Sequence, residues 1–181
     1  MRKVYFVAGG YGVGKTTICH FLSSKFNIKS YSASQLISSI NKECYGKNKY
    51  VKNHVVNQLI LIEEVNKLDD EELILDGHFC LSSPNGDLIV LDDEIFDKLN
   101  LSAILLIRAK ISDVIKLLKK RDDVDYDGEF LERLFFEESQ KAEKVSRQYN
   151  IPLYSYEMSF DDNDLLEITH IFEQILKEGN L

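Results

Sequence analysis

Nine residues near the amino terminus, Gly9-Gly10-Tyr11-Gly12-Val13-Gly14-Lys15-Thr16-Thr17, bring together the groups needed to hold a polyphosphate. Gly9, then Gly14, Lys15 and Thr16 after four intervening residues, follow the Gly-x4-Gly-Lys-Ser/Thr spacing of a P-loop. Successive backbone N–H groups must turn inward around a β-phosphate, and a Cβ at Gly9 or Gly14 would obstruct that wrap. Lys15 has the reach and charge for the β- and γ-phosphates, Thr16 offers its hydroxyl to Mg²⁺, and Thr17 is placed for the α-phosphate. Gly10, Tyr11, Gly12 and Val13 complete the predicted binding loop. A second chemical group stands at Leu73-Ile74-Leu75-Asp76, where an apolar run ends in a carboxylate. An Asp at the carboxyl end of a strand beside the loop can hold the same Mg²⁺, usually through water.

These groups need a strand before the loop and a helix after it. Val4-Tyr5-Phe6-Val7-Ala8 is a short apolar run of the kind found in a buried parallel strand, and Ile18, Phe21 and Leu22 continue on one helical face. That helix adds the positive end of its dipole beneath the anion. Further along, residues 27–32 predict a second extended segment, Ser34 opens a helical pattern, and Gly46 breaks it. A helix follows from about Val51 to Leu68, approached by Lys47, Lys49, Lys52 and His54, which read either as a solvated face or as anion ligands. Pro84-Asn85-Gly86-Asp87 between apolar runs predicts a hairpin over about residues 79–91.

Asp93 is expected to cap a short helix, and Ala103 to Ile107 reads as another buried strand. A helix through Val114 and Leu118 ends in Lys119-Lys120-Arg121, and the polar stretch after it predicts a lid over about residues 121–133. A long amphipathic helix, a last strand and a terminal helix with Ile168, Phe172 and Ile175 on one stripe complete the chain. Strands alternating with helices imply an α/β, three-layer fold, its parallel sheet covered on both faces and its site at the strands' carboxyl ends. Asn66-Lys67-Leu68-Asp69 matches a guanine-recognition pattern, but it precedes Asp76 where that pattern follows a late strand, so the expected reading is a helix end.

The chain has 181 residues, the size of one domain over 1–181 with a single core. A net charge of -8 opposes general affinity for nucleic acid or an anionic membrane, both of which need a positive surface. The apolar stretch after Met1-Arg2-Lys3 stops at Gly9, too short for a signal sequence or a bilayer span, and a cytosolic location is expected. Cys19, Cys44 and Cys80 lack paired spacing and read as reduced, mostly buried thiols.

The order of motifs resembles the adenylate-kinase-like nucleotide kinases, especially the small archaeal-type adenylate kinases and the nuclear adenylate-kinase-like proteins of eukaryotes. The resemblance covers most of the chain and rests on the P-loop, Leu75-Asp76-Gly77-His78, the turn from Pro84 to Gly86, and Leu106-Ile107-Arg108 leading a helix to Arg121. It implies five parallel strands in the order 2-3-1-4-5, a small lid, and an acceptor region over about residues 33–68. The implied reaction moves the γ-phosphoryl of ATP to a nucleoside monophosphate or related metabolite, with Lys15, Asp76, Mg²⁺ and lid Arg121 carrying the transfer.

Where family members commonly carry Gly-Asp and then an Arg, this chain reads Ser34-Gln35-Leu36-Ile37-Ser38, and Leu117 replaces an Arg often found before the lid. Acceptor contacts then fall to Gln35, Lys49, Lys52, His78, Arg108 and Arg133, with Lys47 beside them. A phosphate acceptor needs no general base, whereas an alcohol needs one such as Asp76 or His78. His78 serves equally well as a hydrogen-bonded structural residue, and Arg108 as half of a buried ion pair at a strand end. Two other readings stand: a regulatory ATPase whose nucleotide state orders the lid or hairpin for a partner, and a kinase of nucleic-acid ends. Oligomeric state is not legible.

Overall fold

Val4 to Gly9 are buried without interruption in β1 (Lys3–Gly9), the pattern of a strand covered on both faces. The computed structural model describes residues 2–42, 53–123 and 125–179. In it β1 runs into α1 (Lys15–Phe26), followed by β2 (Ser30–Ser32), α2 (Ala33–Asn41), α3 (His54–Lys67) and β3 (Glu72–Asp76). The hairpin β4 (Cys80–Ser82) and β5 (Leu88–Val90) leads to α4 (Asp93–Lys98) and β6 (Leu101–Ala109). Then come α5 (Ile111–Asp122), α6 (Gly128–Tyr149), β7 (Leu153–Met158) and α7 (Asp164–Glu178).

Five strands form a parallel sheet ordered β2-β3-β1-β6-β7, which is 2-3-1-4-5 once the separate hairpin is set aside. Adjacent residues of β1 point to opposite faces. Tyr5 meets Phe172 of α7 edge-on at 5.5 Å, and Phe26 of α1 lies 5.2 Å from the same ring. On the other face Phe6 meets Phe79 at 5.2 Å and Phe96 of α4 at 5.9 Å. The sheet is thus the middle of three layers, as the alternating pattern predicts.

The details differ from expectation in three places. Asn27 adopts φ 55 as the residue closing α1, so the second strand is confined to Ser30–Ser32. Asn53 caps α3 by accepting from Val56 N at 3.2 Å, which starts that helix at His54 rather than near Val51. Asp92, not Asp93, is the N-cap of α4, because Asp93 already has helical geometry and its carboxylate pairs with Lys141 and Lys144 of α6. Asn66 and Lys67 are the last residues of α3, consistent with a helix end. Among the described residues no helix is long and apolar enough to cross a membrane.

Candidate phosphate-binding site

Parallel pairing sets Asp76 beside Val7, so the carboxylate emerges at the same carboxyl end of the sheet as the loop that leaves β1. Gly14 caps α1 with φ 88, a left-handed conformation that costs other L-residues about 1 kcal/mol or more. Having no side chain, it leaves the first-turn N–H groups of α1 to be satisfied by an anion. Thr16 then donates its hydroxyl to Asp76 Oδ2 at 2.8 Å, joining the two groups that sequence spacing assigns to Mg²⁺.

Lys15 is buried, and its Nζ donates to the carbonyls of Gly9 at 2.9 Å and Gly10 at 3.0 Å. Burial pushes its pKa below the usual lysine range, while the charges of Asp76 and Glu138 oppose that shift. The ammonium has three donors, so these two carbonyls leave one for a phosphate oxygen. The curved loop, the uncapped helix start, the buried cation and the hydroxyl–carboxylate pair together fit a nucleotide polyphosphate with Mg²⁺. Thr16 and Asp76 are the residues that would hold the metal.

A cleft of about 1590 Å³ opens over these groups. Tyr11, Gly12 and Gly14 line it from the loop, Lys15, Thr16 and Thr17 from the start of α1, Asp76 from the end of β3 and His78 just after it. Gln35 of α2 and Arg121 of α5 also border it. Gly9, Gly10 and Val13 are not among the residues that line the cleft; Gly9 packs against Ile107 and Gly10 against Phe135. Arg108 and Arg133 are not brought to the cleft: both are exposed. Arg108 follows the buried Ile107 at the exposed end of β6, and Arg133 lies off the buried stripe of α6 formed by Leu131 and Leu134. Lys47, Lys49, Lys52 and Cys44 lie outside the described residues.

His78 meets the Tyr11 ring edge-on at 5.2 Å. Cys19 and Cys80 are buried free thiols, and burial pushes both up from the ordinary cysteine value. Sequence reasoning missed the cleft's apolar wall of Leu61, Leu91, Ile95 and Phe96, which comes from segments far apart in the chain. It also missed Glu138, fully enclosed on α6. The available signal was a carboxylate at helical spacing from Leu131 and Leu134, inside a stripe that should be apolar.

Fold and site together define a nucleotide-binding P-loop domain. The chain belongs to the AAA domain family, whose model matches residues 8–132. Among curated proteins none matches it in sequence. Its fold is similar to that of shikimate kinase from Acinetobacter baumannii in complex with shikimate, at TM-score 0.65 and 10% identity, covering 100% of this chain and 96% of that one. Shikimate kinase from Bacteroides thetaiotaomicron gives TM-score 0.63 and 11% identity, with 97% and 98% covered. A gluconokinase from Sinorhizobium meliloti 1021 gives TM-score 0.59 and 11% identity, with 93% and 87% covered. These likenesses establish the shared fold, and none of the three is an adenylate kinase.

Proposed function

We propose that this protein is an ATP-dependent, Mg²⁺-dependent phosphotransferase whose acceptor is the hydroxyl group of a small molecule. The observation that carries this reading is the Thr16–Asp76 pair at 2.8 Å beside buried Lys15, on the floor of a cleft large enough for two substrates. ATP supplies the phosphoryl group and Mg²⁺ neutralises its charge. Lys15 and Arg121 both line the cleft and add positive charge where it is needed as charge develops in transfer. The acceptor's O–P bond forms as the bond to the ADP oxygen breaks, and the hydroxyl proton passes to Asp76 or His78, both lining the cleft. The hydroxyl acceptor is favoured by the similar folds, whose names are those of shikimate kinase and gluconokinase.

We assign the whole chain to one domain, with the acceptor region over about residues 33–68, the hairpin over about 79–91 and the lid over about 121–133. The apolar wall of Leu61, Ile95 and Phe96 gives an acceptor body a surface to rest on. A second reading, a nucleoside monophosphate acceptor as in adenylate-kinase-like enzymes, draws on Arg121 at the cleft and on the motif order from Asp76 to Arg121.

The deciding experiment measures ADP formation from Mg-ATP against two acceptor panels, hydroxy acids with polyols and nucleoside monophosphates, using Lys15→Ala as the blank. Stimulation by a hydroxyl compound supports the first reading. Stimulation by a monophosphate replaces it with the second. Equal slow turnover with every acceptor rejects both panels and leaves an acceptor of another class or an ATPase that acts through a partner.

A further inference from the structure

The buried stripe of α6 contains two charged groups among Leu131, Leu134, Ala142 and Val145: Lys141, which pairs with Asp93, and Glu138, 1% exposed. Enclosing a carboxylate is costly, and a leucine would fill such a stripe without that penalty. Glu138 is satisfied by three backbone donors from two separate segments. Its Oε1 accepts from Gly9 N at 3.1 Å and from Phe79 N at 2.9 Å, and its Oε2 accepts from Cys80 N at 2.8 Å. Gly9 begins the phosphate loop, whereas Phe79 and Cys80 lie in the chain that leaves β3 after Asp76. One turn earlier on the same helix, Phe135 packs so tightly against Gly10 that a Cβ there would sit 2.1 Å from the ring.

We propose that Glu138 is a positioning residue of the nucleotide site, a clamp by which α6 holds the start of the phosphate loop and the segment beyond Asp76 as one body. The clamp rests on the reading of the cleft as a nucleotide site. An ionised carboxylate is acceptor-only and serves all three N–H groups, whereas protonation turns one oxygen into a donor and loses at least one bond. Among the described residues, Lys15 of α1, Tyr11 of the loop and Cys80 of β4 are titratable groups that interact with its charge. On α6 itself Lys141 is engaged by Asp93. Burial raises the Glu138 pKa to about 7, against the lowering effect of its N–H donors and Lys15. The clamp therefore tightens as pH rises through neutrality.

The experiment compares calorimetric affinity for Mg²⁺ with a non-hydrolysable ATP analogue in the wild type, Glu138→Gln and Asp93→Asn. The last breaks a different tie between α6 and its neighbours. Glu138→Gln should lose about tenfold in affinity, with the amide resonances of Gly9, Phe79 and Cys80 displaced, while Asp93→Asn stays close to wild type. Wild-type affinity in Glu138→Gln, or an equal loss in Asp93→Asn, overturns the clamp. No binding by the wild type instead rejects the nucleotide site itself. Should Glu138→Gln fail to fold, the wild-type amides decide: Gly9, Phe79 and Cys80 must shift together near pH 7, and flat resonances from about pH 5.5 to about 8.5 overturn the proposal.

Discussion

Gly10→Ala probes how closely α6 is fitted to the phosphate loop. The added Cβ would stand 2.1, 2.5 and 2.7 Å from three ring carbons of Phe135, against roughly 3.5–4.0 Å for ordinary carbon contact. The ring must retreat by roughly 1.5 Å. Gly10 is not among the positive-φ glycines, so the penalty is steric rather than conformational. Phe135 is half-buried and has some room to yield, which places the cost at about 1–3 kcal/mol and the fall in Tm at roughly 3–8 °C. The assay is a double-mutant cycle in chemical denaturation with Phe135→Ala. Removing the ring removes the collision, so Gly10→Ala should cost about 1–2 kcal/mol less in the Phe135→Ala background. If the two substitutions add to within about 0.5 kcal/mol, Phe135 is not what excludes a side chain at position 10, and the reasoning fails.

Lys15→Ala should lower acceptor-stimulated ADP formation by about a hundredfold or more, with Tm held or raised, because a buried ammonium bonded to its own loop is removed. Near-normal turnover would exclude Lys15 from the transfer. Asp76→Asn keeps an oxygen acceptor for Thr16 but loses the charge, so the Mg²⁺ concentration giving half-maximal turnover should rise by about tenfold or more, as read in a Mg²⁺ titration. An unchanged Mg²⁺ dependence would remove Asp76 from the metal site. Glu138 predicts a pH dependence of stability. Its pKa is raised from 4.5 to about 7 in the folded protein, so the native state binds the extra proton across that window. The contribution is fully present below the unfolded value and is lost as pH rises through about 7, a fall of about 3 kcal/mol in the ligand-free protein. Denaturation of wild type against Glu138→Gln at both ends of the window tests this, and parallel pH profiles would contradict it.

The phosphate loop was legible because its function constrains neighbours in sequence: the glycines, Lys15 and Thr16 occupy one turn between a strand and a helix. Asp76 was legible for a related reason, since a carboxylate ending an apolar run marks a strand end wherever the sheet later places it. The three-layer order followed from the alternation of strands and helices and from the motif resemblance. What was not legible depends on contacts between distant segments. The cleft wall draws Leu61 from α3, Leu91 from the hairpin's exit, and Ile95 and Phe96 from α4, and no spacing rule links them. Arg108 and Arg133 show the converse difficulty. Their charges suited an anion site, but Arg108 lies past the buried run of β6 and helical phase turns Arg133 off the buried stripe of α6, and periodicity registers the second only once the buried face is known.

Glu138 joins these two levels, because its place in the helical stripe is local whereas its three donors come from β1 and from the chain after β3. A carboxylate there weakens the apolar face of α6, and its ionisation is resisted by burial. Burial of the stripe taken by itself would therefore favour an apolar side chain at this position. A leucine, however, would leave the amides of Gly9, Phe79 and Cys80 facing an apolar side chain, and the loop and the Asp76 segment would lose their common anchor. The two pH dependences consequently run in opposite directions. The ligand-free fold weakens as Glu138 ionises, while the clamp on the nucleotide site gains its full set of bonds. A buried group kept only for packing would weaken both on ionisation, so the opposition of the two trends is the signature of a carboxylate that organises the site at the expense of the fold.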